Sequence, residues 1–290
     1  MASALPGATE RAVERLVLDL EVQCRDDLLL VVTGAGISLA SGIPTFRGAD
    51  PGAVWKKDVI ELGTRRYFEE DPVGSWRWYR SRFSKVQGAK PNAAHRALVD
   101  LEAWQVPRGE FALVTQNIDG LHRAAGSRRL VEVHGRADQV RCSKPGCEHA
   151  APAGTLPRDP AAEAAFDADP RPETVPRCPA CGSLLRQHVL WFDETYDEHE
   201  SYDYRRVIAA SGMASAVWFI GTSLSVGVTD MILRSAVRRG APVALFDPRP
   251  PAHVPRQVDV FEVKAEEVLP IAAERVGATA EGWSPQGPPG

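Results

Sequence analysis

Five short apolar runs, Leu28 to Val32, Phe111 to Val114, Leu130 to Val133, Ala216 to Ile220 and Val243 to Phe246, recur along the chain, each bounded by turn or helix signals. A strand with one wet face alternates apolar and polar residues, whereas a strand buried on both faces is apolar throughout. These runs therefore predict an α/β chain: an open, doubly wound parallel sheet with helices on both faces. Val13, Leu16, Val17 and Leu20 stand at helical spacing just before the first run and predict a helix over Ala12 to Leu20.

At 290 residues the chain is long enough to bury a substantial core, as one large domain or as a domain with a smaller companion. Two stretches interrupt the strand rhythm: Asp50 to Lys90, rich in tryptophan, tyrosine and arginine, and Arg136 to Gln187, which holds four cysteines. Within the second, Ala150 to Arg177 is dense in Ala, Pro and Asp with little periodicity and reads as a loose loop. The Pro- and Gly-rich end, Thr279 to Gly290, reads as a disordered tail.

Charge and cysteine usage narrow the class of function. The balance of 34 basic against 38 acidic residues argues against binding by broad neutralisation of phosphates, so no nucleic-acid partner is expected. No basic-then-apolar segment opens the chain, and no apolar run reaches the roughly 18 residues that span a bilayer, so a cytoplasmic protein with no membrane partner is expected. Cys142 and Cys147 form a CxxxxC pair and Cys178 and Cys181 a CxxC pair; four thiolates from two such pairs can close a tetrahedral shell around one structural zinc. A redox CxxC is the rival reading, but it leaves the first pair unexplained. His149 reads as a solvated loop histidine, and Cys24 as a packed helical residue.

The first apolar run ends in Thr33-Gly34-Ala35-Gly36, where backbone amides can approach a pyrophosphate without obstruction by a side chain. The third glycine, Gly42, comes six positions after Gly36, which departs from GxGxxG, and a tight structural turn accounts for Gly34 and Gly36 equally well. His134 follows the third run, where a doubly wound sheet presents side chains to a ligand crevice. A histidine titrates near neutral pH and suits a general base there, although a core histidine fits the same position.

Longer motifs separate these readings. Gly34 to Gly48, GAGISLASGIPTFRG, is followed in order by Thr115 to His122, TQNIDGLH, by Val133-His134-Gly135, by the cysteine pairs and by Gly221-Thr222-Ser223-Leu224. In these residues, over about Leu28 to Ala272, the chain resembles the sirtuin family. The resemblance implies a Rossmann-like doubly wound sheet with a small inserted zinc-binding module and a helical insertion. The expected division is a tail over 1–10, the NAD-binding domain over 11–49, 95–135 and 188–278, the helical and cofactor-loop insertion over 50–94, the zinc module over 136–187 and the tail over 279–290.

The resemblance also implies NAD as co-substrate and acyl-lysine proteins or peptides as substrates. Gly34, Ala35, Gly36 and Ser38 would hold the cofactor from the first strand end; Gly221, Thr222 and Ser223 would hold it from a second, with Asp247 and Ala265 beyond them. Gln116, Asn117, Ile118 and Asp119 would line the nicotinamide and ribose pocket, and a capped helix start accounts for Asn117 and Asp119 as well. Phe46 and Arg47 would order the cofactor loop, while Val189, Trp191 and Phe192 would meet the substrate. Catalysis is expected from Asn117, Asp119 and His134, with His134 activating a ribose hydroxyl so that lysine and O-acyl-ADP-ribose emerge. Mono-ADP-ribosyl transfer or NAD hydrolysis would use the same pocket, and a non-enzymatic NAD-binding module is a third reading.

Tyr79 and Arg82 stand one helical turn apart, so both can face one pocket. A guanidinium and a phenol bind a carboxylate by charge-assisted hydrogen bonds, and the pair resembles that of the class III branch, which removes succinyl, malonyl or glutaryl groups. An amphipathic helix with a snorkelling arginine is the bland alternative. Four residues depart from the family pattern: Gln187 and Val228 where proline is usual, Asp193 where glycine is usual, and Asp247 where asparagine is usual. The carboxylate of Asp193 is expected to repel acidic peptides or limit their approach, and that of Asp247 to disfavour NADP.

Overall fold

The computed structural model describes residues 7–44, 58–84 and 86–278. The chain opens with α1 (Gly7–Leu18), continued by one wider π-type turn, Asp19–Gln23, and then enters β1 (Leu28–Thr33). A 3-10 helix, Ala35–Ser41, follows, and then α2 (Asp58–Leu62), α3 (Arg65–Glu70), α4 (Pro72–Phe83) and α5 (Ala93–Gln105). Next come β2 (Glu110–Thr115), α6 (Leu121–Ala125), β3 (Leu130–Glu132), β4 (Gly135–Cys142), β5 (Leu156–Pro157), α7 (Pro160–Ala168) and β6 (Leu185–Val189). The last part holds α8 (Tyr204–Met213), β7 (Ala216–Ile220), α9 (Gly227–Arg239), β8 (Val243–Phe246), β9 (Val258–Phe261) and α10 (Ala265–Arg275).

Six strands form one sheet in the order β3-β2-β1-β7-β8-β9, and every pairing in it is parallel. Alternate residues of β1 serve opposite cores, which explains why the run is apolar throughout. Leu29 and Val31 pack with α1, α5 and α10, whereas Leu28, Leu30 and Val32 pack with α8 and α9. Each such buried Leu or Val is worth about 1.5–3 kcal/mol relative to exposure. The edge strand β9 has no continuous apolar run, because only Val258 of Val258–Phe261 is fully buried. Its periodicity is that of a half-wet edge.

Asp19 is buried, and its Oδ2 accepts from Trp218 Nε1 at 2.8 Å and from Arg15 Nε at 2.9 Å, fastening the first helix to β7. Cys24 lies just past the π-type turn, fully buried, and burial pushes its thiol up to about 12. It is a packed residue, as expected.

The two insertions build one lobe. Phe68, Trp76, Tyr79 and Phe83 of the helical part pack against Ala137, Val140, Phe166, Val189 and Trp191. The stretch Ala150 to Arg177 is accordingly not a loose loop. Asp159 caps α7 by accepting from the Ala161 amide at 2.9 Å, and Pro160 starts the helix with φ already suitable. Arg80 of α4 then bridges to Glu163 and Asp167 on that helix. The cap was readable in the sequence; the reason to fold, a single apolar anchor meeting a tryptophan 90 positions earlier, was not. Phe166 is 1% exposed, with its ring centroid 5.9 Å from that of Trp76. Phe166→Ala is expected to lower unfolding stability by roughly 3–5 kcal/mol in urea titrations; a change near zero would return this segment to the status of a loop.

Candidate active site

The strand order reverses direction between β1 and β7, so the loops that leave their C-terminal ends part to opposite faces and open a crevice. At its floor two backbone turns touch. The Gly34 amide donates to Ile220 O at 3.1 Å and the Gly36 amide to Gly221 O at 2.8 Å. A Cβ on Gly34 would lie 2.7 Å from Gly221 O, and one on Gly36 2.6 Å from Gly221 Cα. The glycines are thus required by strand-end packing, and the same bareness leaves the turn open to a ligand. Gly42 ends the 3-10 helix at φ +84°, which accounts for its late position. Beside the turn lies a cavity of about 420 Å³ lined by Gly36, Leu39, Gly221, Phe246, Lys264 and Ala265.

A hydrogen-bonded group stands on the other side of the turn. Ser38 Oγ donates to Asp119 Oδ2 at 2.7 Å, and Asn117 Nδ2 reaches Gly34 O at 3.1 Å and Ser38 Oγ at 3.2 Å. Gln116 Nε2 donates to Thr222 Oγ1 at 3.0 Å, joining the two strand ends. Asp119 Oδ1 also accepts from the Leu121 amide at 2.9 Å and supports the start of α6, so its capping and pocket-lining readings are compatible. Burial raises its carboxyl pKa against the opposing pull of that amide and of Ser38.

His134 sits in the turn between β3 and β4, its backbone held by Leu190, whose amide donates to His134 O at 2.9 Å. Nδ1 lies 2.9 Å from the Gln116 carbonyl oxygen. A carbonyl only accepts, so Nδ1 carries the proton and Nε2 is a bare base. Burial lowers the imidazole pKa to about 4, with the Gln116 carbonyl opposing. At neutral pH the ring is therefore uncharged. A residue that sequence reasoning missed stands against Nε2: the hydroxyl of Tyr196, 62 positions away, at 3.3 Å. No motif marks a tyrosine in that loop.

Other expected site residues fall elsewhere. Ser223 Oγ pairs with Ser225 Oγ at 2.7 Å on the exposed side, next to Leu224, which holds φ +55°. Asp247 turns its Oδ1 to the Arg249 amide at 2.8 Å, and Ile118 packs toward the inserted lobe. Phe46 and Arg47 lie outside the described residues.

Tyr79 and Arg82 both lie on α4 in the inserted lobe. Tyr79 is buried, and the Arg82 guanidinium carbon lies 3.7 Å above the Trp78 ring. Burial raises the tyrosine pKa and lowers that of the arginine, and each group feels the other's charge. Arg82 Nε is buried with no acceptor, and no ion pair of Arg82 occurs among the described residues. Val189 and Trp191 are buried nearby, Trp191 under the guanidinium of Arg186 at 3.1 Å, whereas Phe192 is 51% exposed.

The segment after β6 is fixed from both sides. Glu194 is buried; burial opposes its charge, but Arg186 and Arg141 hold its pKa down to about 2. The Phe192 amide donates to Gly63 O at 3.0 Å, and Asp193 accepts from the Arg65 amide at 2.8 Å and the Arg66 amide at 3.2 Å. The carboxylate of Asp193 is thus directed at the start of α3, where amide dipoles offset the charge expected to repel acidic peptides. Gln187 lies within β6 with its side-chain amide buried and unbonded among the described residues, and nothing in the structure explains it.

The four cysteines converge. Their sulfurs all lie within 4.8 Å of one another, with Cys142 to Cys181 at 3.5 Å and Cys147 to Cys178 at 3.6 Å. A tetrahedral zinc with bonds of about 2.3 Å needs sulfur separations of about 3.8 Å, so the set fits zinc and leaves no position for water. The ion would hold β4 to β6 and do no chemistry. Purified protein is expected to carry one zinc per chain by elemental analysis, and Cys178→Ser to lose the metal and the fold of this lobe; a metal-free chain with unchanged circular dichroism and stability would contradict the assignment.

Comparison with known proteins gives the same outline. Residues 34–228 match the model of the Sir2 family. The chain is 38% identical over 249 residues to NAD-dependent protein deacylase 2 of Pyrobaculum aerophilum, covering 85% of this chain and 90% of that one. It is 34% identical over 258 residues to the mitochondrial NAD-dependent protein deacylase sirtuin-5 of Danio rerio, covering 85% and 82%. A crystal structure of a Sir2 homologue in complex with NAD superposes with a TM-score of 0.72 at 29% identity, covering 96% of this chain and 97% of that one.

Proposed function

The chain belongs to the Sir2 family, and from that premise we propose that it is an NAD-dependent protein-lysine deacylase that prefers acidic acyl groups: succinyl, malonyl or glutaryl. The observation that carries the preference is Arg82, a half-buried guanidinium on α4 beside the Tyr79 phenol, with no carboxylate partner among the described residues. A buried cation without a counter-ion is costly, and a carboxylate at the end of an acyl chain relieves that cost. Desolvation strengthens the attraction, because the groups that compete in water are excluded.

NAD supplies the ribose carbon that accepts the acyl oxygen as nicotinamide departs. The chain's own residues do the rest. The bare turn at Gly34, Ala35 and Gly36 and the Thr222 strand end bind the cofactor, with Ala265 at the far wall of the cavity. Gln116, Asn117 and Asp119 orient its ribose and carboxamide. His134 takes a proton from a ribose hydroxyl at Nε2 while Nδ1–H stays on the Gln116 carbonyl. Phe192, exposed beside Trp191, offers itself to the peptide.

The reading is tested by incubating purified protein with NAD and matched acetyl-, succinyl- and glutaryl-lysine peptides, measuring nicotinamide and deacylated peptide separately. Nicotinamide release that ignores the peptide would sink it. Arg82→Met is expected to lose desuccinylation about 10- to 100-fold more than deacetylation, the worth of one or two charge-assisted hydrogen bonds; equal losses would remove the acidic preference. Because burial holds His134 near 4, its base form persists as pH falls below the ordinary histidine value of 6.5, and protonation removes it only near pH 4. The acid limb of kcat/KM should therefore lie well below pH 6.5, and a limb at 6.5 would exclude His134 as the group responsible.

A further inference from the structure

We propose that Tyr196 is a positioning residue for His134: its hydroxyl donates to the Nε2 lone pair, fixes the ring in the Nδ1–H tautomer, and keeps the place that the ribose hydroxyl takes before proton transfer. The role rests on the reading of His134 as the base. It follows from two contacts. Nδ1–H is committed to the Gln116 carbonyl at 2.9 Å, so Nε2 has one in-plane lone pair and no hydrogen. The Tyr196 oxygen lies 3.3 Å from that nitrogen.

The stack holds this geometry. The Tyr196 ring lies 5.8 Å from the His134 ring at an interplanar angle of 24° and 4.7 Å from Tyr204 at 18°. Burial raises the phenol pKa to about 12, so it remains a donor throughout the working range.

Among the described residues, the surroundings bring no competing charge. The shift of His134 has burial and the Gln116 carbonyl as its causes; that of Tyr196 has burial, the Val228 amide and the Tyr204 phenol. Glu132, the nearest carboxylate along the chain, faces Arg123 and Arg136. Proton accounting is simple: the ribose O–H gives its proton to Nε2, Nδ1 keeps its own, and the displaced Tyr196 hydroxyl keeps its hydrogen. Before that exchange, donation to the lone pair stabilises the neutral imidazole and so lowers its pKa.

Tyr196→Phe in the full chain keeps the stack and removes the bond. The histidine resonances of the free protein are titrated by NMR, His134 being identified by its absence in His134→Ala, and kcat/KM is followed against pH for the same variants. The expected results are an upward shift of the His134 titration and the same shift in the acid limb of kcat/KM, as loss of a bond to the neutral imidazole requires. An unmoved titration in Tyr196→Phe overturns the proposed contact. A titration that moves while the acid limb stays in place overturns His134 as the base, and with it the role of Tyr196.

Discussion

Two bare backbone turns in contact, Gly34 to Gly36 against Gly221, set the geometry on which the rest of the site depends. Their closeness lets β1 and β7 run side by side to their ends and still send their chains apart, which makes the crevice. Any side chain at these positions would force the strand ends apart and, with them, Gln116 and Thr222, which bridge the strands by one hydrogen bond. The openness of the turn is the by-product of a packing requirement. The structural and functional readings of the glycines are therefore compatible.

From that floor the electrostatic character of the site follows by burial. The central residues are kept uncharged or paired: His134 is neutral because water is excluded from it, and Asp119 is held by a hydroxyl and an amide. Among the described residues, the guanidinium of Arg82 stands apart as a half-buried charge with a phenol and an indole for company and no anion. The end at His134 thus holds neutral or paired groups, and the end at Arg82 a cation with no anion among the described residues. The two ends are joined by the segment after β6, which Glu194 clamps to three arginines and Asp193 pins to α3.

Residues that depart from the family pattern take on meaning only through neighbours. Asp193 reads in sequence as a charge in the path of the peptide; in space it caps a helix from the helical insertion. Val228 reads as a lost proline; in space its side chain is fully buried in the core shared with α8. Gln187 has no such account.

The sequence alone determined the sheet and the two metal-ligating pairs, because continuous apolar runs, glycine turns and close cysteine spacings encode local requirements that hold wherever the chain goes. Four of the five apolar runs became interior strands of the sheet and the fifth, Leu130 to Val133, became β3 at one edge; β9, at the other edge, escaped because its periodicity is mixed. Ser38, Gln116, Asn117, Asp119 and His134 stood out as members of short strings that resemble the sirtuin pattern, and the structure gathers them around the strand ends. Tertiary structure decided what no window of sequence holds: that Phe166 would find Trp76 and order the segment between the cysteine pairs, that Asp193 would turn to α3, and that Tyr196 would reach His134. Each of these depends on a pairing across more than 60 residues, and a side chain's partner at that distance is set by the packing of whole layers, which no local pattern records.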